Sequence, residues 1–482
     1  MNATITITQL EITSLKFALL AISAVFIFHI LPSRYRLTYL VVLSCGFIAT
    51  FNVFLPLYVA FYALLNFTLG HLIKDSRFPK AFFRTGLILN LAQLILLRYA
   101  SFAIDPILEV FSPGLKASGL SGIILPLGIS YYTLQSIGYL INIKMGWEMP
   151  ERNFLRFFLY IIFFPKFLSG PIERSNHFLP QLAFNQKFNP SDLSEGFKIA
   201  LQGFFKKIII ANHLGTAVTQ IFSGSSDLAG PQLLLLILIQ PLYLYFDFSG
   251  YTDIAIGFAR AFGIRLLPNF NRPFMAENMT TFWRRFHISL SSWFNDYIFK
   301  QASFRLRRLK ENATVIAVFL TWILFGIWHG AGWNFMVLGL LQALVIYYEF
   351  RTKKFRNSLF AKIPFLLRPW VGRIFTYAFY AISLTFFFAP DLLSSLGVFA
   401  GIFSQTEAGR AHLLTEPLLF GMTFVGLFLL VEILQNDFAG FYSRIQSLWL
   451  QNKLLRIIVY YSAIVLILTQ LNGNATFIYE MF

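Results

Sequence analysis

Charge is what this sequence has least of. Only 13% of its 482 residues are Asp, Glu, Lys or Arg, about half the share of an average soluble protein. With a mean hydropathy of +0.64, a water-soluble domain of this size is excluded. Cysteine is nearly absent. Cys45 alone rules out an intramolecular disulfide and every cysteine-based metal cage, and within its apolar run it reads as a small core residue. The chain contains no G-x-x-x-x-G-K-[ST], H-E-x-x-H, G-x-S-x-G or C-x-x-C. Nucleotide hydrolysis, zinc proteolysis and serine-elbow hydrolysis therefore lose their usual residues, and neither a metal nor a bound cofactor is expected. A cleavable leader is not expected either. Arg34 and Arg36 follow the first apolar run instead of preceding it, which puts the N-terminus outside. No repeat or low-complexity tract interrupts the chain.

What is abundant is long apolar sequence: 57% of the residues are hydrophobic. Runs at 16–30, 37–51, 53–69, 85–100, 123–141, 154–168, 233–246, 315–328, 333–348, 374–388, 417–433 and 457–468 approach the length of a bilayer-crossing helix. The expected architecture is all-α and polytopic, with roughly ten to twelve membrane spans. Several runs are short, so tilted, buried or re-entrant helices are expected among them. No loop is long enough for a separate soluble domain, so residues 1–482 read as one membrane domain.

The net charge of +17 has two readings, nucleic acid or membrane. The basic residues cluster in short loops at 71–84, 300–310 and 351–373. That pattern assigns these loops to the cytoplasmic face and their charge to lipid headgroups, not to nucleic acid. Segment 102–122 reads as an exposed loop. Segment 196–214, with Lys198, Gln202, Lys206 and Lys207 set against aromatic and aliphatic residues, reads as a helix on the membrane surface or a solvated loop helix. Gly, Pro and polar residues at 164–174 and 245–254 suggest broken backbone, tolerated at membrane depth only against protein or a watery cavity.

Two histidines are the candidates for chemistry. His329 lies in Thr321-Trp322-Ile323-Leu324-Phe325-Gly326-Ile327-Trp328-His329-Gly330-Ala331-Gly332-Trp333-Asn334. A neutral imidazole there can take a proton from a hydroxyl. Trp328 and Trp333 would wall the site, Gly330 would allow close backbone approach, and Asn334 would orient the ring or donate to an oxyanion. The plainer alternative is a packed histidine at a helix end. His287 lies in Phe282-Trp283-Arg284-Arg285-Phe286-His287, read as one amphipathic helix continuing to Asp296-Tyr297, with 283, 287 and 290 on one face. Arg284 and Arg285 would bind the phosphate of a donor or of a lipid. Asp247 and Asp253 suit a cation site, but capping around Ser249-Gly250 explains them more simply. The remaining histidines, His29, His71, His177, His213 and His412, form no constellation.

The ordered set Leu125-Pro126-Leu127-Gly128-Ile129-Ser130, Leu168-Ser169-Gly170-Pro171-Ile172-Glu173-Arg174, Tyr245-Phe246-Asp247-Phe248-Ser249-Gly250-Tyr251-Thr252-Asp253, Phe282-Trp283-Arg284-Arg285-Phe286-His287 and Trp328-His329-Gly330 resembles the membrane-bound O-acyltransferase family. The likeness is to its bacterial branch of alginate O-acetyltransferases and D-alanyl transfer proteins, and Phe477-Ile478-Tyr479 resembles the usual family ending. In place of the Pro-Leu-Gly-Gly turn of alginate-type members, Asp296-Tyr297-Ile298-Phe299 runs into 300–304.

The resemblance implies an all-helical fold around a tunnel or funnel, with His329 as the essential histidine and His287 as the second polar residue. Trp283, Asp296, Tyr297, Trp328, Gly330 and Asn334 would line the substrate path. It also implies a cytoplasmic acyl thioester, acetyl-CoA or an acyl carrier protein, and an extracytoplasmic partner of the SGNH type that passes the group to a glycan. The expected activity is O-acyl transfer, most simply acetyl, to a cell-envelope polysaccharide in the bacterial cytoplasmic membrane. D-alanyl transfer to teichoic acid and a transporter are the alternatives. In this scheme His329 is the base, and His287 or a backbone N–H near Gly330 steadies the oxyanion. The apolar residues before His329 reach only about 24 Å, which recesses it below the outer surface.

Overall fold

A computed structural model describes residues 10–99, 127–184, 189–220, 230–403 and 415–471. Described residues are helical apart from turns and one isolated antiparallel bridge, Phe270 to Phe286. Eight helices are long and apolar enough to cross a membrane: Leu55–Asp75, Pro79–Arg98, Gln232–Ala261, Glu311–His329, Trp333–Arg351, Arg368–Phe388, Glu416–Asp437 and Lys453–Gln470. Leu15–Ile30 and Leu392–Ile402 are apolar but shorter. Of the remaining expected runs, 37–51 and the described part of 123–141 lie mostly in continuous 17-residue helices, Ser33–Ala49 and Ile129–Met145. The 154–168 run is helical only over Phe154–Ile162, because Pro165 follows and its missing N–H ends the ladder. The loop expected at 102–122 and the ending at 477–479 lie outside the described residues.

The described chain forms two compact units, residues 1–202 with 251–268, and residues 203–250 with 269–482. In the first, aromatic rings supply much of the core. Phe17 meets Phe47, Phe164 and Phe258 edge-on, with centroids 5.8, 6.2 and 5.8 Å apart. The irregular stretch after Ile162 is wholly buried, so its polar groups are satisfied internally. Lys166 Nζ donates to Gln135 Oε1 at 2.6 Å and to the Tyr160 carbonyl at 2.5 Å. Glu173 accepts from the Leu267 N–H at 2.5 Å and pairs with His177 Nδ1 at 2.8 Å. That bond raises the His177 pKa. The sequence pattern gave His177 no partner; its carboxylate lies one turn away.

The second unit corrects three expectations. The chain does not break at 245–254: one helix runs Pro231–Ala261 through Pro241. Gly250 serves close approach instead, since a Cβ there would lie 2.9 Å from the Gly203 carbonyl and the Lys207 N–H. Asp247 and Asp253 are therefore helix-interior residues and not caps, and Asp247 forms a buried ion pair with Lys207. Of the lysines in segment 196–214, Lys198 is partly exposed and pairs with Glu195 at 2.7 Å, but the other two do not reach headgroups. Lys206 and Lys207 are both buried, within the wide turn Phe205–Ala211, where the helix loosens to an i→i+5 pattern. A buried lysine needs a carboxylate to remain charged, and the sequence showed no pairing across 40 residues.

Glu311–His329 and Trp333–Arg351 form the hairpin expected around Gly330-Ala331-Gly332. They pack on small residues. A Cβ on Gly326 would meet the Phe335 carbonyl and lie 3.0 Å from Gly339 Cα. Such contact lets two backbones approach where lipid gives no hydrophobic drive. The first helix is 19 residues long, about 28 Å at 1.5 Å per residue, which nearly matches a hydrocarbon core.

Candidate active site

His287 is not on a continuous helix. The chain turns helical over Met279–Trp283, breaks, and restarts at Ile288–Phe294. The face shared by 283, 287 and 290 therefore does not exist. At the break, His287 has φ 47°, a left-handed conformation uncommon outside glycine. Flanking pairing holds it there. The Asn271 N–H donates to the Arg285 carbonyl and the Ile288 N–H to the Asn269 carbonyl, both at 2.9 Å. The His287 carbonyl then accepts from Leu290 and Ser291 and starts the next helix. The side chain is 1% exposed. Its Nδ1 lies 3.1 Å from Asn269 Oδ1, and the Phe248 ring stands perpendicular to it at 4.7 Å. Burial, and then the neighbouring His329, push its pKa well below the usual histidine value. The ring is thereby kept neutral.

His329 closes the Glu311–His329 helix, 6% exposed. Phe325, Trp328 and Phe387 surround it at 4.7, 4.9 and 5.4 Å between centroids. Trp328 also reaches His287, at 6.2 Å. One indole thus contacts both imidazoles. Residues far apart in sequence become one polar pair in an aromatic enclosure.

The other expected site residues divide. Trp283 packs on Trp322 and Phe325, each at 5.0 Å, and donates Nε1–H to Gln342 Oε1 at 3.1 Å. Tyr297 is buried against Trp293. Trp333 is 61% exposed, at the start of the second hairpin helix, and is not among the rings packed on His329. Asn334 does not orient His329. Its amide donates to the carbonyls of Phe386 and Ala389, at 3.1 and 2.9 Å, and so ties two spans together. Gly330 is extended and has the Phe335 ring against its Cα, leaving no room for a side chain. Asp296 is half-exposed and pairs with Lys300 at 2.7 Å, one helical turn on. Arg284 and Arg285 point to different surroundings. Arg285 Nη1 sits 3.4 Å from Asn436 Oδ1, while Arg284 borders a cavity.

That cavity has a volume of about 860 Å³. Trp283, Ile288, Phe294, Thr321 and Phe325 are among its lining residues, and Arg284, Glu349, Lys353 and Arg356 bring charge to it. Neither histidine lines it directly, but Ile288 adjoins His287 in sequence and Phe325 meets the His329 ring edge-on. Glu349, on the Trp333–Arg351 helix, braces this wall. Its carboxylate accepts from the N–H groups of Met279 and Thr280 at 2.6 and 3.0 Å, and from the Thr280 hydroxyl at 2.6 Å. It so caps the short helix that carries Trp283. Sequence reasoning missed Glu349 and Asn269. Neither stands in a pattern, and both act on residues many positions away.

Comparison with known proteins follows the same segments. The model of the membrane-bound O-acyltransferase family matches residues 148–390. The chain is 31% identical to the probable alginate O-acetylase of Azotobacter vinelandii, over 78% of this chain and 74% of the relative. It is 31% identical to the peptidoglycan O-acetyltransferase of Helicobacter pylori, over 78% and 76%. The teichoic acid D-alanyltransferase of Bacillus subtilis is 32% identical over 48% of this chain and 61% of its own.

Proposed function

Because this chain belongs to the membrane-bound O-acyltransferase family, we propose that it moves an acetyl group from a cytoplasmic thioester toward a hydroxyl of an extracytoplasmic cell-envelope polysaccharide. It is a multi-pass membrane acyltransferase. Longer coverage by the two O-acetyl-transferring relatives than by the D-alanyl one favours acetyl. The observation that carries the reading is the pair of buried imidazoles, His287 and His329, sharing Trp328, with Phe325 common to the His329 enclosure and to a cavity lined by Arg284, Lys353 and Arg356.

In this proposal the cavity takes the thioester, acetyl-CoA or a carrier protein's acyl arm. Its apolar wall of Trp283 and Phe325 suits an acyl chain, and Arg284 and Lys353 suit phosphate. The hydroxyl attacks the carbonyl carbon while the histidine pair takes up its proton. His329, the base expected from the sequence, is the ring on which transfer depends. A positioned base contributes about 10²–10⁴-fold, and the dry enclosure strengthens every polar contact within it. The membrane is the bacterial cytoplasmic one, with loops 71–84, 300–310 and 351–373 inside, and an SGNH-type partner outside completes transfer to the glycan. The transporter alternative loses its support, since Asp247 is neutralised by Lys207 and its helix is unbroken.

The test is thiol release. Purified protein given acetyl-CoA or an acetylated carrier protein should free the thiol in the presence of an acceptor, and His329→Ala should reduce the rate by about 10²-fold or more while remaining folded and membrane-inserted. Release by the variant at the wild-type rate refutes the proposal.

A further inference from the structure

Arg284 and Arg285 are neighbours in sequence but part in the fold: Arg284 lines the cavity and Arg285 does not. The antiparallel bridge from Phe270 to Phe286 sets Arg272 beside Arg285, whose Nη1 lies 3.5 Å from the Arg272 carbonyl. Arg373 joins them from the Arg368–Phe388 helix. A Cβ on Gly372 would lie 2.7 Å from the Glu277 carbonyl, so this helix packs directly on the segment that follows Arg272. Asn436 and Asp437, at the end of the Glu416–Asp437 helix, connect the three arginines. Asn436 Oδ1 lies 3.4 Å from Arg285 Nη1, and the Asn436 amide donates to Asp437 Oδ1 at 2.8 Å. Asp437 in turn accepts from Arg373 Nη1 and Nη2, both at 2.6 Å.

The nearby carboxylates do not match these cations. Asp437 is spent on Arg373, Glu432 accepts from the Tyr245 hydroxyl at 2.6 Å, and Glu277 is exposed. Lys206, 5.8 Å from the centre of the Tyr245 ring, adds a fourth positive charge. Among the described residues Arg272 and Arg285 meet only neutral acceptors. Arg272 Nε reaches Asn271 Oδ1 at 3.3 Å, and both Arg285 contacts exceed the ordinary range of about 2.7–3.2 Å. Arg373 is 5% exposed, and its buried Nε has no hydrogen-bond partner among the described residues. Burial first, then Arg272 and Arg373, lower the Arg285 pKa from its usual value, against the opposing pull of Glu277 and Asp437. Arg272 is also held at φ 48°, a left-handed strain of the kind folds retain at working sites.

Gathered guanidinium groups with unused N–H donors are completed by an anion whose oxygens accept several at once, as a phosphate does. Two observations point to its source. Arg373 belongs to the basic loop 351–373, proposed above to face the cytoplasm, where the leaflet carries anionic lipid. Exposed apolar rings flank the cluster: Trp370, 4.8 Å from the Arg373 guanidinium, is 40% exposed, and Phe438, which follows Asp437, is 55% exposed. Such rings suit the headgroup boundary and the acyl chains of a lipid. We infer that Arg272, Arg285 and Arg373 form a binding site for the phosphate of an anionic phospholipid, separate from the cavity and its thioester. Bound there, the phosphate ties segment 270–286 to the helices Arg368–Phe388 and Glu416–Asp437.

The experiment uses the full-length protein in detergent, with phosphatidylglycerol as the anionic probe, phosphatidylcholine as the zwitterionic one and coenzyme A as a soluble phosphate. Native mass spectrometry reads bound lipid, and the thermal midpoint reads its effect on the fold. The wild type should retain phosphatidylglycerol in preference to phosphatidylcholine and gain thermal stability from it. Arg272→Gln and Arg285→Gln should each weaken phosphatidylglycerol binding about tenfold, the worth of a charge-assisted hydrogen bond, and lose most of the thermal gain. Arg284→Gln, which alters the cavity, should bind the lipid as the wild type does. If Arg285→Gln does not fold, Arg272→Gln carries the test, because that side chain bonds only to its neighbour Asn271. Equal retention of the two lipids, or wild-type phosphatidylglycerol binding in the glutamine variants, overturns the inference. So does displacement of phosphatidylglycerol by coenzyme A, which assigns the arginines to the donor. Neither readout requires turnover, so failure of the acyl-transfer reading leaves this test intact.

Discussion

Lys207 and Asp247 set the terms at the residue scale. Both side chains are buried, and they form an ion pair with each other. Replacing such a pair together with apolar residues is often neutral, whereas removing one partner strands a charge and costs roughly 3–5 kcal/mol. Lys207→Met and Asp247→Leu should each lower the thermal midpoint in detergent substantially, and the double variant should recover most of the loss. A double variant as unstable as the sum of the singles would show that the two do not act as a pair. His329 and His287 were legible as residues because an ionisable group in so apolar a stretch is costly to keep without a task. Their partners were not. Asn269 reaches His287 through a backbone pairing, and Glu349 reaches Thr280 from another helix. Hydropathy carries no trace of either contact.

At the scale of elements, apolar run length located the spans well, because hydrocarbon demands satisfied backbone over a fixed thickness. It misplaced the interruptions. Ser249-Gly250 looked like a break and proved to be a contact surface inside a continuous helix, while the helix carrying His287 looked continuous and proved broken. A glycine signals either close approach or a turn, and only the neighbouring element decides which. The hairpin that ends in His329 belongs to the first kind. Gly326 and Gly339 face each other across it, so Gly326→Val should force the helices apart. Overpacking of this sort costs typically 1–3 kcal/mol. A fall in thermal midpoint and faster proteolysis near 330–332 are expected, and an unchanged midpoint would mean that the helices are not in such contact.

For the molecule as a whole, the distribution of charge makes a prediction about sidedness. The basic residues around Lys353 lie at one end of the hairpin and Trp333 at the other. With Cys45 as the sole native cysteine, a Cys45→Ala background leaves the chain free of thiols. Lys353→Cys should then react with a membrane-impermeant maleimide only from the cytoplasmic side, and Trp333→Cys only from the outer side. Reversed labelling would invert the proposed direction of transfer.

What the sequence determined by itself was the solvent, the fold class, the candidate histidines and the family likeness. Each depends on local composition or on ordered short motifs, and the bilayer makes local composition decisive. The tertiary structure decided which groups meet. It paired Lys207 with Asp247, turned Trp333 outward, used the Asn334 amide to tie two spans, and brought His287 and His329 to one indole. Polar partners in an apolar interior are set by the direction and distance of side chains from different helices. No one-dimensional pattern encodes those.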